Sequence, residues 1–206
     1  MTKPPETAKN ELPFSAPAQR NSAPIKNVLE PVLADCENVL EIASGTGQHV
    51  VFFAAHFAHV NWQPSEPIAV MREAIDQRIH QSGLANVNPA LDIDVCGDWP
   101  VISVDAVIVA NMLHISPTDT LQGLCAGARS VCSQAGWLHI YGPFKENGVH
   151  TAVSNADFDA SLRSRNEQWG IRDIETVIST AASHGWHLDA KTPMPANNFS
   201  LLFAAT

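Results

Sequence analysis

The stretch Val39-Leu-Glu-Ile-Ala-Ser-Gly-Thr-Gly-Gln-His49 constrains this chain more than any other. A short apolar run carries an acid, Glu41, near its end, breaks into Ser44-Gly45-Thr46-Gly47 and passes straight into a helical pattern. Glycines at such a strand-to-helix turn let the backbone approach a ligand, because no Cβ intervenes.

The acid narrows the choice of ligand. A phosphate at a helix N-terminus is held by free N–H groups and is repelled by a neighbouring carboxylate. Glu41 suits the ammonium of an amino-acid moiety, directly or through water, which favours S-adenosyl-L-methionine over NAD or ATP. Gly45 and Gly47, with Ala43 and Thr46 beside them, form the turn that would wrap it. Glu66 closes the second predicted strand. A carboxylate there accepts both ribose hydroxyl protons, as happens about 20 residues past the glycine loop in dinucleotide folds. The alternative for Glu66 is an acid that favours a helix N-terminus.

Periodicity orders the rest. Residues 1–14 contain three prolines and few apolar positions, so residues 1–19 read as a flexible arm ahead of a single domain over 20–206. Pro24 opens a helix pattern through Leu33. Strands are expected at 38–43, 60–63, 88–95, 105–110, 136–141, 186–190 and 200–204, and helices at 48–57, 68–81, 117–133 and 171–184. The run Ala106-Val-Ile-Val-Ala110 is apolar throughout, as a central parallel strand buried on both faces requires. Residues 142–170 lack strong periodicity and read as a long loop or lid with one short helix around Phe158 to Arg163. Alternating strands and helices, then two strands with no helix between them, imply an α/β fold with a mostly parallel sheet and an antiparallel edge hairpin.

The 206 residues suffice for a single domain with a good-sized core. A net charge of −9 and no Lys/Arg run argue against nucleic acid as partner. Four cysteines without C-x-x-C spacing, no apolar leader and no membrane-spanning run lead to the expectation of a reduced, cytoplasmic protein that is not in a membrane. The i,i+3 pairs His56/His59 and His184/His187 lack further ligands at metal spacing, so no metal is expected.

Seven motifs carry a resemblance. They are Ala18-Gln-Arg-Asn21, Leu40 to His49, Trp62-Gln-Pro-Ser-Glu66, Asn111-Met-Leu-His-Ile-Ser-Pro117, Tyr141-Gly-Pro143, Trp169-Gly-Ile-Arg-Asp173 and Met194-Pro-Ala-Asn-Asn198. Over residues 20–206 the chain resembles class I S-adenosyl-L-methionine-dependent methyltransferases, and within them the family called domain of unknown function 938. The resemblance implies a Rossmann-like three-layer sandwich with a seven-stranded sheet. It also implies methyl transfer that leaves S-adenosyl-L-homocysteine, and it supplies neither substrate nor oligomeric state. The superfamily loop usually carries glycine where this chain has Ala43, a tolerable change unless φ must be positive.

Further candidates follow from position. Asp92 or Asp94 could accept from the adenine amino group; strand alternation does not choose between them, and the resemblance favours Asp92. Asn111 to His114 follow the fourth strand at its carboxyl end, where open α/β sheets bind ligands. Asn111 is assigned to the methionine portion, and His114 is the candidate general base because an ordinary imidazole titrates near neutrality. Tyr141, the only tyrosine, is a second catalytic candidate, with core packing as its alternative. Arg20 and Asn21 would close over the cofactor carboxylate. Asn155, Phe158, Asp159, Arg163, Arg172 and Asp173 would shape a pocket for a small-molecule acceptor. A protein that binds S-adenosyl-L-methionine or S-adenosyl-L-homocysteine without turnover, as a sensor or partner, is the competing class; it keeps the cofactor acids but not a need for His114.

Overall fold

The computed structural model describes residues 12–206. A six-stranded sheet forms its centre. The strands are β1 (Asn38–Ile42), β2 (Asn61–Pro64), β3 (Val104–Ala110), β4 (Cys132–Gly142), β8 (Trp186–Met194) and β9 (Asn198–Ala205). In the order β2-β1-β3-β4-β9-β8, the first four strands run parallel, and β9 pairs antiparallel with β4 on one side and β8 on the other, so β9 alone is reversed.

Side-chain alternation along the central strands explains the layers. Val39, Ala106 and Ile108 face one core with α1 (Ala16–Leu33) and α2 (Gln48–His56). Leu40, Ile42, Val107 and Val109 face the other with α4 (Thr120–Val131) and α6 (Ile174–Ser183). α3 (Ala69–Ser82) leads away from β2. Gly123 and Gly127 of α4 give the Val95–Trp99 segment its seat: a Cβ on Gly127 would lie 1.8 Å from the Trp99 ring.

Four expectations need correction. The helix expected from Pro24 starts eight residues earlier, at Ala16, with the Ser15 hydroxyl accepting from Ala18 N–H, and Pro24 and Pro31 lie inside it. Of the expected arm over residues 1–19, residues 1–11 lie outside the described part, and 16–19 are helical.

The strand expected at 88–95 reduces to two parallel bridges, Trp62 to Val87 and Ser65 to Leu91, so the seventh sheet position holds no continuous strand. Between the bridges this segment advances four residues while β2 advances three. Pro89 within it has no N–H for a ladder, and Ala90 N–H turns instead to Asp76.

The segment 142–170, expected as a loop or lid with one short helix around Phe158 to Arg163, has that helix in longer form and two strands besides. It holds β5 (Phe144–Glu146), β6 (Val149–His150) and α5 (Val153–Arg165). With β7 (Arg172–Asp173) the two strands form a small second sheet, ordered β6-β5-β7.

Candidate functional site

The carboxyl ends of β1, β2, β3 and β4 open into a cavity of about 1370 Å³. Strands β2 and β4 leave β1 and β3 in opposite directions, and such a switch point is where open α/β sheets form a crevice.

The turn after β1 supplies one wall. Ala43, Gly45 and Gly47 all have positive φ, at 53°, 56° and 71°. Ala43 therefore occupies the conformation that glycine adopts without cost, at a price of about 1 kcal/mol. The turn is fastened to the residues that follow β2 by four hydrogen bonds: Ser44 N–H donates to Ser65 O at 2.8 Å, Ser65 N–H to Ser44 Oγ at 3.2 Å, Ser65 Oγ to Glu41 O at 2.8 Å, and Gly45 N–H to Glu66 Oε2 at 3.0 Å. Gly45 and Thr46 line the cavity. Gly47 does not; it caps α2 and meets α3, where a Cβ would come within 3.3 Å of Ile75.

Glu66 lines the cavity beside Ile68, Met71 and Ile93. Asp94 also lies on this wall, whereas Asp92 does not: its carboxylate pairs with Arg72 at 2.9 Å, largely in solvent. The reading of Asp92 at the cavity is thus replaced by Asp94. No regular strand runs through this segment, so strand alternation does not govern the two acids.

Glu41 also departs from expectation. It is buried on the α1/α2 side of β1 and does not line the cavity; among the described residues its Oε2 has no hydrogen-bond partner. Burial pushes its carboxyl up to about 8, against a hydrogen bond from Ser44 and with help from the charge of Glu66. It is protonated at neutral pH.

Helix α1 brings Arg20 and Asn21 to the wall. Arg20 enters none of the ion pairs among the described residues. Asn21 Oδ1 lies 2.7 Å from His49 Nε2, and the Asn21 side chain is close enough to the Tyr141 hydroxyl to affect its acidity. His49 is a wall residue that sequence reasoning passed over. The signal was available, because its place in the first turn after the glycine loop aims it back at the sheet edge.

The far wall comes from β3 and β4. Asn111, at φ 61°, donates its N–H to Tyr141 O at 2.8 Å and locks the two strand ends together. His114 sits in the short 3-10 turn that follows and is nearly buried, its ring edge-on to Phe158 at 5.3 Å. Burial, with Arg172 and Arg165 nearby, lowers its pKa to about 4, so the ring is neutral near pH 7. Burial raises the Tyr141 hydroxyl, partly countered by Asn21.

Of the expected pocket-shaping residues, Asn155 and Phe158 line the cavity. Asp159, Arg163, Arg172 and Asp173 stand behind it as anchors. Asp159 accepts from Ile171 N–H at 2.6 Å and from Arg163 Nε at 3.2 Å. Arg172 donates to Ser116 O, and Asp173 caps α6. Among the described residues no group of three or more His, Cys, Asp or Glu side chains could hold a metal ion.

Solved structures share this architecture. An O-methyltransferase family protein from Burkholderia thailandensis superposes with a TM-score of 0.79 at 16% identity, covering 91% of this chain and 57% of that one. A mitomycin 7-O-methyltransferase gives 0.79 at 14%, covering 93% and 56%. Human N-acetylserotonin methyltransferase, solved in complex with S-adenosylmethionine, gives 0.78 at 13%, covering 91% and 52%. The chain thus spans just over half the length of these proteins, and the likeness establishes a methyltransferase-like fold. The family described as a protein of unknown function, DUF938, matches residues 12–205. The chain belongs to the DUF938 family.

Proposed function

We propose that the protein transfers a methyl group from S-adenosyl-L-methionine to a small-molecule acceptor. One observation carries this reading: a single cavity extends from Glu66 at the end of β2 to His114 and Tyr141 beyond β3 and β4. Pockets for one small ligand occupy roughly 300–1,000 Å³, so about 1370 Å³ leaves space for two molecules side by side.

The donor set of the wall fits the cofactor. Glu66 and Asp94 offer acceptors to the ribose hydroxyls and the adenine amino group, with Ile68, Met71 and Ile93 as apolar flanks. Arg20 offers a cation to the carboxylate. Glu41 lies below the wall without charge, and a cation docked above would favour its ionisation. When bound, S-adenosyl-L-methionine supplies an electrophilic methyl carbon on a cationic sulfur.

The remaining steps belong to the chain. The walls orient an acceptor atom and exclude water, the main demand of in-line transfer. His114, neutral near pH 7, has a free lone pair for the acceptor proton. Its low basicity suits an acidic hydroxyl better than an aliphatic alcohol. Asn21, paired with His49 at 2.7 Å, stands beside the Tyr141 hydroxyl. A cytoplasmic setting belongs to the same reading; the structure has no helix, among the described residues, long and apolar enough to cross a membrane.

The test is calorimetric titration of S-adenosyl-L-methionine and S-adenosyl-L-homocysteine into wild type and Glu66→Ala. Micromolar binding that weakens at least tenfold in the variant supports the reading. Absence of binding by folded wild type overturns it. Binding with no methyl transfer to any hydroxylated acceptor favours the sensor alternative.

A further inference from the structure

We propose that the acceptor is a neutral, flat, ring-bearing molecule that presents a hydroxyl, seated in the corner made by His114 and Phe158. The proposal rests on the methyl-transfer reading and concerns the acceptor half of the same cavity.

Charge is distributed unevenly along the wall. Its charged side chains are Arg20, Glu66 and Asp94, from α1, the end of β2 and the segment after α3. The wall contributed from Met112 onward contains no Asp, Glu, Lys or Arg. Arg172, behind it, directs its guanidinium at the carbonyls of Ser116 and Gln168.

The polar groups there are neutral, and several are already engaged. Pro117, Pro143 and Pro195 line this half and have no N–H. Asn155 spends its amide N–H groups on Thr151 Oγ1 and Asn197 O, at 3.2 and 3.0 Å. Asn198 spends its own on Pro195 O and Ala196 O, at 3.0 and 3.2 Å. What remains for a ligand is uncharged: the two amide oxygens, the His114 ring and the hydroxyls of Thr120, Tyr141 and Ser154. A carboxylate or phosphate entering this half would lose hydration for hydroxyl donors and the charges of Arg165 and Arg172 behind the wall, with no cation on the wall to pair with, and an ammonium would find no carboxylate. A neutral hydroxyl donates to the acceptors present.

Shape supplies the rest. The His114 and Phe158 rings stand 65° apart at 5.3 Å between centroids. A flat ring can stack on one while meeting the edge of the other, the two arrangements aromatic groups favour. Phe158 and Ile115, both on the wall, are 38% and 46% exposed, so such a ligand would cover apolar surface that the chain leaves open.

Titration of 2-naphthol, sodium 2-naphthoate and cyclohexanol, with and without saturating S-adenosyl-L-homocysteine, tests this in wild type and Phe158→Ala. The expected result is 2-naphthol binding at least tenfold tighter than either other probe. Phe158→Ala should weaken it about tenfold while S-adenosyl-L-homocysteine binds as before. Naphthoate or cyclohexanol binding equally well, or 2-naphthol binding indifferent to Phe158→Ala, overturns the proposal. If 2-naphthol binds but S-adenosyl-L-homocysteine does not, the ring site stands and the methyl-transfer reading falls. If S-adenosyl-L-homocysteine binds and 2-naphthol does not, the ring site falls and the methyl-transfer reading stands.

Discussion

Glu66 Oε2 accepts the Gly45 amide proton at 3.0 Å, so the acid expected at the ribose also holds the glycine turn in shape. Two roles in one carboxylate can be separated by substitution. Glu66→Gln keeps an acceptor for Gly45 but removes the charge; Glu66→Ala removes both. We predict that Glu66→Gln loses ten- to hundredfold in S-adenosyl-L-homocysteine affinity with its melting temperature nearly unchanged. Glu66→Ala should lose the same affinity and also about 1.5–3 kcal/mol of stability, the range for a hydrogen bond to a charged group. Calorimetry and urea unfolding on both variants check this; equal stability loss in the two would separate Glu66 from the turn.

Ala43 shows how far sequence reasoning reached at this turn. The strand, turn and helix were legible because an apolar run, two glycines and a helical period follow in order. The sign of φ at position 43 was not, since it depends on how Ser44 bonds to Ser65 across the sheet. With φ at 53°, alanine carries strain that glycine would not. Ala43→Gly should therefore stabilise the fold by up to about 1 kcal/mol, reduced by the extra entropy of the unfolded chain. A urea midpoint that falls in the variant would show the turn to be unstrained.

Other features were hidden for physical reasons that can be named. Helix α5 buries Asn155 and Asp159 beside Leu162, so its inner face is polar and leaves no apolar period to read. Pro24 reads as a helix start because proline favours the first turn, yet Ser15 caps the helix farther upstream. Glu41 sits one residue from Leu40 and Ile42, and only the sheet faces reveal that its side chain turns to the α1/α2 side, away from the wall. The central apolar strand and the edge hairpin were legible because burial on both faces, or a missing helix, marks the sequence directly.

Buried titratable groups set opposing pH dependences. Burial lowers His49 and His114 to about 4, and His139 to about 3 with a smaller contribution from His49. The unfolded chain binds these protons near pH 6.5, so their neutral burial is fully compatible with folding above that pH. Stability falls as pH drops from about 6.5 towards 4, by on the order of 3 kcal/mol per histidine at most. Glu41 acts in the other direction: its carboxyl holds a proton up to about 8 when folded but ionises near 4.5 when unfolded, so it costs stability as pH rises between those values. We predict maximal stability near pH 6–7, with Glu41→Gln removing much of the loss between pH 6 and 8. Urea unfolding of both proteins at pH 5, 6.5 and 8 checks this; an unchanged slope in Glu41→Gln would mean the carboxyl ionises normally.

Asp159 ties the acceptor wall to the rest of the fold. Its Oδ1 accepts the Ile171 N–H at 2.6 Å, while Oδ2 takes Arg163 Nε at 3.2 Å and lies 3.4 Å from His150 Nε2. It therefore connects α5, the β5–β6 hairpin and the segment leading into β7. Phe158 is its neighbour in sequence and lines the cavity, so the placement of that ring depends on this anchor. Asp159→Ala leaves the buried Ile171 N–H without a partner, a cost of about 1–3 kcal/mol. Asp159→Asn keeps an acceptor for Ile171 and should lose less. The decisive reading is local: hydrogen exchange at Ile171 and along α5 should accelerate in Asp159→Ala, while amides of β1 and β3 are slowed as in wild type. Acceleration spread evenly through the sheet would mean that Asp159 stabilises the whole domain instead of fixing one wall of the cavity.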